Sequence, residues 1–277
     1  VTGRPTHFLA QTLQQAMLAL RAKQFGQAKQ LASEVLKSNR TDRNAVLILA
    51  HALIGQDHAD EAVGPLERAA RRTGDAEIET LLGAALCAAR RQADGILQLR
   101  RTVARRPCYL PAFQELAGQL AKAGHLDEAI SIIEEGLALA PDSIELTLDL
   151  GRLWIQNHDS ARARAALVRA RDAAPGRPDV LTELGRVLII DGDYSSAAEA
   201  YRHALALRPD DLLSRANLAT CLLEMGDRNR GEAALRSILR GRPQMLGRVA
   251  FTLATTSHGR FFFRPSEAAS FLERNES

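Results

Sequence analysis

Cysteine is scarce: the 277 residues hold three, at Cys87, Cys108 and Cys221. They are scattered, odd in number and without metal-ligand spacing, which argues against a disulfide framework and against a zinc site. No apolar run approaches the length of a bilayer span, and residues 1 to 15 lack the long apolar stretch of a secretory signal. The expected location is therefore the cytoplasm. Alternating runs of Val, Ile and Thr are missing, and aromatic residues make up only 4% of the chain. Ala and Leu dominate instead, and that profile predicts an all-helical protein.

Chemistry is equally sparse. There is no phosphate loop, no glycine fingerprint and no serine elbow. His58, His125 and His158 fall in turns without ligand spacing. His51 and Cys87 fall on the same side of neighbouring segments, but neither a base for the thiol nor a group to orient that base is evident. The reading is a non-enzyme that needs no cofactor and no metal.

The length exceeds the size at which one compact core keeps growing, so the choice lies between two domains and an elongated repeat array. Periodicity decides it. Pro107, Pro141, Pro175, Pro209 and Pro243 are each separated by 34 residues. On the same lattice a small residue recurs at Ala16, Ala50, Gly83, Ala117, Gly151, Gly185 and Ala219. Twelve residues after each comes a second, at Ala28, Ala62, Gly95, Ala129, Ala163, Ala197 and Gly231. Two helices joined by a short turn approach most closely where side chains are smallest, so the paired small sites predict a helix-turn-helix unit. Gly124, Gly192 and Gly226 fall between the paired sites and suit the left-handed conformation that ends a helix. Asp127, Asp193 and Asp227 follow near the next helix start, and the prolines stop the second helix.

This 34-residue unit, with its Leu-Gly or Leu-Ala pair, a bulky residue, a second small residue and a closing proline, resembles the tetratricopeptide repeat. Leu184, Gly185, Ala197, Tyr201, Ala204 and Pro209 carry the likeness most closely. The resemblance implies a right-handed all-α superhelical solenoid of seven units, 8–41, 42–74, 75–108, 109–142, 143–176, 177–210 and 211–244, with a capping segment at 245–277. The first unit departs from the pattern with Gln15 in place of Leu, and the first two end at Arg40 and Gly74 instead of Pro. A final helix is expected over 244–257 and a short one from Pro265 to about Arg274. Phe261, Phe262 and Phe263 between them are read as folding back over the solenoid end, which favours a monomer over a dimer contact.

The resemblance also implies a function: first helices line a groove that holds a protein or peptide partner through polar residues repeating from unit to unit. The residues at those places are Glu115, Asp149, Glu183 and Asn217 just before the small anchor, and Arg152 and Arg186 just after it. Asp149 with Arg152, and Glu183 with Arg186, have in-helix pair spacing and predict a charged ladder. Such a ladder would offer carboxylates to a partner's N–H groups and guanidinium forks to its carbonyls, carboxylates or phosphates. The first three units present a more apolar face, with Met17, Leu47, His51 and Thr80. A second reading is the substrate-recruiting arm of a separately encoded or truncated enzyme, such as a glycosyltransferase or sulfotransferase.

Charge is unevenly spread: residues 1–108 carry 16 basic against 10 acidic residues, 109–210 carry 10 against 16, and 211–277 carry 10 against 7. Arg90, Arg91, Arg100, Arg101, Arg105 and Arg106 form the densest basic cluster. No aromatic residues interleave with it to stack bases, and the acidic middle would repel a phosphate backbone, so nucleic acid is disfavoured as a partner.

Overall fold

The computed structural model describes residues 4–240, 242–262 and 264–273. Among them every regular element is helical, and the chain divides into two compact units, Val1–Leu139 and Ala140–Ser277. The first contains α1 (Arg4–Arg21), α2 (Phe25–Ser38), α3 (Arg43–Ile54), α4 (Ala59–Thr73), α5 (Ala76–Ala88), α6 (Gln92–Val103), α7 (Leu110–Lys122) and α8 (Leu126–Leu139). The second contains α9 (Ile144–Gln156), α10 (Ser160–Ala173), α11 (Pro178–Ile190), α12 (Tyr194–Leu207), α13 (Leu212–Glu224), α14 (Arg228–Leu239), α15 (Leu246–Thr255) and α16 (Pro265–Glu273). No helix among the described residues is long and apolar enough to cross a membrane.

Helix starts are marked by short acceptors. The side chains of Asp42, Asp75, Ser143, Asp159, Asp193, Asp211 and Asp227 each accept a backbone N–H from the first turn they precede. Each such cap is worth about 1 kcal/mol. The periodic prolines lie just beyond the ends of α6, α8, α10, α12 and α14, as their missing N–H requires. The turn inside each pair holds one left-handed residue: Lys23, Asp57, Arg90, Gly124, His158, Gly192 or Gly226. The glycines take φ of 84°, 75° and 83°, and the four other residues take 57° to 62°.

The paired small residues sit where the two helices of a pair touch. A methyl group added at Gly83 would lie 2.5 Å from Leu99, at Gly151 2.7 Å from Leu167, and at Gly185 2.7 Å from the Tyr201 ring. Ala28, Ala62, Ala129, Ala163 and Ala197 are fully buried. Large side chains thus fill the space that the small ones vacate, as close packing of an interior requires.

Every helix packs on its chain neighbours within its unit, and first helices also touch one another. In the first unit this second row runs α1, α3, α5, α7; in the second it runs α9, α11, α13. Among the described residues, successive second helices meet through side-chain ion pairs such as Lys29–Glu61 and Arg100–Glu128 instead of close packing, so clefts open between them, floored by the first-helix row. Local packing of this kind makes stability a sum of neighbour terms.

At the far end of the second unit a 3₁₀ turn at Pro243–Met245 leads into α15, and α15 and α16 both pack on α14. Phe262 and Phe271 lie against the core formed by Leu235, Val249 and Leu253, with their rings 5.4 Å apart. The expected fold-back therefore holds for Phe262 but not for Phe261, which is 70% exposed. Phe263 lies outside the described residues.

Candidate partner-binding surface

The sequence-predicted site residues fall on first helices: Glu115 on α7 in the first unit, and Asp149, Arg152, Glu183, Arg186 and Asn217 on α9, α11 and α13 in the second. In the second unit the ladder is continuous. Arg152 donates from Nη1 to Asp149 Oδ1 at 3.3 Å and from Nε to Glu183 Oε1 at 3.0 Å. Arg186 donates from Nη1 to the other oxygen, Glu183 Oε2, at 3.4 Å. The first contact lies within α9, the second joins α9 to α11, and the third lies within α11.

This geometry changes what the surface offers. Glu183 is sunk between two guanidinium groups, with 16% of its side chain exposed, and each of its oxygens already accepts a bond. Asp149 and Glu183 thus anchor the arginines from behind. Arg186 is 53% exposed and Arg152 40% exposed. Guanidinium groups held from behind by carboxylates lose less freedom on binding an outside acceptor, because their orientation is already set.

Asn217 continues the row but faces a different partner: its Nδ2 donates to the Tyr201 hydroxyl at 3.1 Å. Tyr201 is fully buried between α11 and α13, and burial holds its phenol well above the usual tyrosine range. Below it, Ser214 Oγ donates to Asp211 at 2.6 Å and lies 3.0 Å from Thr182 Oγ1. Glu115, in the first unit, accepts from Gln119 Nε2 at 2.7 Å within α7.

The face ascribed to the first three units is less uniform than its sequence implied. Leu47 and Thr80 are buried in the interior, whereas Met17 and His51 reach the surface. No group of three or more His, Cys, Asp or Glu among the described residues is arranged to hold a metal ion. Half of the basic cluster is spent on neighbours: Arg91 pairs with Asp94, Arg100 with Glu128 and Arg105 with Glu79.

Sequence reasoning missed a family of bridges between consecutive helix pairs. Arg43 binds Asp75 at 2.6 Å and also Glu77; Lys29 binds Glu61 at 2.8 Å; Arg177 binds Glu145 at 2.7 Å while its fork grips both oxygens of Asp179. Their first-named separations are all 32 residues, and Arg152–Glu183 is 31. Opposite charges two or three short of the repeat length were the signal that could have found them.

Comparison with known proteins agrees with this architecture. Residues 120–186 and 188–249 match a family model described as tetratricopeptide repeat. Cellulose synthase operon protein C of Pseudomonas fluorescens (strain SBW25) is 29% identical over 109 residues, covering 39% of this chain and 8% of that protein. The protein of the same name from Komagataeibacter xylinus is 32% identical over 94 residues, covering 34% of this chain and 7% of that protein. The matched stretch thus spans less than a tenth of either relative. The crystal structure of the C-terminal part of a TPR repeat-containing protein from Cytophaga hutchinsonii superposes with a TM-score of 0.59 at 14% identity, over 87% of this chain and 99% of that one.

Proposed function

The chain is a tetratricopeptide-repeat protein, and from that premise we propose that it is a non-catalytic scaffold that holds an extended peptide of a protein partner across the first helices of its second unit. The observation that carries this reading is the Arg152–Glu183–Arg186 chain, which holds two half-exposed guanidinium groups on successive first helices. Their acceptors on the partner are backbone carbonyls or side-chain carboxylates, met by charge-assisted hydrogen bonds. Asn217 extends the row toward α13, and Glu115 occupies the corresponding place in the first unit. The seven-unit division and the monomeric state are part of the same proposal.

The test is a peptide-array screen of the wild type against Arg152→Gln with Arg186→Gln. Neutral glutamine is chosen because a new acid at 152 would face Asp149 and Glu183 and destabilise the fold by itself. The peptides enriched by the wild type are expected to be lost by the variant, with the helical circular dichroism signal unchanged. An identical set of enriched peptides would reject the ladder as the contact surface.

A second reading has one observation in its favour. Both curated relatives are named for a cellulose synthase operon, which suits a recruiting arm that works beside a separately encoded enzyme of glycosyl transfer. Co-purification with the product of a neighbouring glycosyltransferase gene supports it; recovery of the chain without any such enzyme counts against it.

A further inference from the structure

Three clefts between successive second helices are built alike but charged differently. The cleft between α4 and α6 encloses about 390 Å³, and its walls mix Arg71, Arg91 and Arg101 with Glu67, Glu79 and Asp94. The cleft between α10 and α12 encloses about 300 Å³ and sets Arg164 and Arg171 beside Glu199. The cleft between α2 and α4 is larger, about 830 Å³, and is lined by Lys37, Arg40, Arg68, Arg71 and Arg72 with no acidic residue. Its floor is apolar, formed by Leu36, Val46, Leu49 and Pro65.

These five cations stand among basic residues that are paired. Around them, Lys29 is bound by Glu61, Arg43 by Asp75 and Glu77, Arg91 by Asp94, and Arg105 by Glu79. None of Lys37, Arg40, Arg68, Arg71 or Arg72 takes part in an ion pair among the described residues. Like charges on facing walls repel, so a cleft with five cations and no acid in its lining carries a cost that an anionic occupant offsets. The helix dipole offers a partial account, since Lys37, Arg71 and Arg72 lie in the last turns of α2 and α4. It does not reach Arg68, which lies a turn further back, or the absence of acids from both walls.

We propose that the cleft between α2 and α4 is a second docking site, separate from the ladder on the first helices, and that its occupant is an acidic peptide segment carrying interspersed leucine-like side chains. The volume exceeds what a single phosphate or carboxylate fills and suits several residues of a peptide. The five cations meet its carboxylates, and the half-buried Leu36 and Pro65 meet its apolar side chains. Guanidinium groups supply most of the charge, and their forks match carboxylates in a bidentate way. A nucleic acid would satisfy the cations but not the apolar floor, and the aromatic residues on which bases stack are missing from the lining.

The test uses the full chain and fluorescence anisotropy with a labelled 14-residue peptide alternating Glu with Leu, a Glu/Ser peptide of equal charge, and a single-stranded DNA oligomer. Arg68→Gln with Arg71→Gln and Arg72→Gln is expected to weaken the Glu/Leu peptide at least tenfold without moving the thermal midpoint appreciably. Removing three charges elsewhere, by Arg90→Gln, Arg101→Gln and Arg106→Gln, is expected to leave it within about twofold, and Arg152→Gln with Arg186→Gln to leave it unchanged. The Glu/Ser peptide is expected to bind at least tenfold more weakly than Glu/Leu. Equal losses in the two triple variants would reduce the effect to net charge and overturn the site. DNA binding as tight as the Glu/Leu peptide and dependent on the same three arginines would overturn the assigned occupant.

Discussion

Arg260 donates from Nε to the carboxylate of Glu232 at 2.6 Å, and that carboxylate is 97% removed from solvent, with 3% of the side chain exposed. Arg236 reaches the other oxygen at 3.4 Å, and both guanidinium groups lie over the Phe271 ring, at 4.8 Å and 4.7 Å from its centroid. One buried acid on α14 thereby holds the segment after α15 and, through Phe271, α16. Breaking a buried pair by removing one partner leaves the other charge uncompensated.

Glu232→Ala is expected to destabilise the protein by about 2 kcal/mol, below the range for fully buried pairs because Arg260 is 43% exposed. Arg260→Ala removes one bond to Glu232 but leaves Arg236 in place, so its effect is smaller and local. Limited proteolysis separates the two: Arg260→Ala accelerates cleavage within residues 256–273 with little change in the urea midpoint. A midpoint unchanged in Glu232→Ala would remove the carboxylate from the account of how this end is held.

Gly185 and Tyr201 form a matched pair. A methyl group at Gly185 would sit 2.7 Å from the Tyr201 ring, and the ring is locked by burial and by its bond to Asn217. Gly185→Ala is expected to cost about 1–3 kcal/mol by overpacking. Tyr201→Leu shortens the side chain and loses the hydroxyl bond, at a cost of its own. In the double variant the two costs are expected to fall short of their sum by about 1 kcal/mol or more, because the leucine no longer opposes the methyl. Strict additivity in a denaturation cycle would show that the two residues do not share the space assigned to them.

The repeat was legible because two constraints act on fixed positions: close helix approach excludes large side chains, and proline excludes helix. Both leave residue types that can be read without coordinates. The inner turns were legible only at Gly124, Gly192 and Gly226. Lys23, Asp57, Arg90 and His158 adopt the same left-handed backbone with nothing in their side chains to announce it, since helix packing on both sides imposes the turn. The ladder positions were legible from spacing, but their chemistry was not. That Glu183 would be shared by Arg152 and Arg186 depends on the offset between α9 and α11, a tertiary quantity. Density of arginines likewise drew attention to residues 90–106, where Arg91, Arg100 and Arg105 are paired with acids, and away from Lys37 and Arg68, which are far apart in sequence.

Gly118 and Gly124, six residues apart, give opposite responses to alanine. Gly118 lies inside α7 with no atom within 4 Å of an added methyl, so Gly118→Ala is expected to stabilise by about 0.5–1 kcal/mol through a less mobile unfolded chain. Gly124 has equally open surroundings but a φ of 84°. Gly124→Ala is expected to destabilise by about 1 kcal/mol for that backbone reason alone. Thermal melts of the two single variants decide it, and a shift of the same sign in both would contradict the left-handed turn.

Arg177 grips both oxygens of Asp179, from Nε at 2.9 Å and Nη2 at 2.7 Å, and so lowers the carboxyl pKa to about 2. An unfolded aspartate titrates near 3.9. Because the folded value is the lower one, the stabilisation is complete above about pH 4 and is lost as pH falls through about 2. Both side chains are about a third exposed, at 35% for Arg177 and 31% for Asp179, so solvent screening reduces the effect to about 1 kcal/mol. The wild type is therefore expected to exceed Asp179→Asn by about that amount at pH 7. The gap should close between pH 4 and pH 2, where the wild-type acid takes up its proton. Titrations of other carboxylates are common to both proteins and cancel in the difference. Urea unfolding of the pair across that range provides the measurement, and a gap that stays constant down to pH 2 would mean that the Arg177 fork contributes nothing through charge.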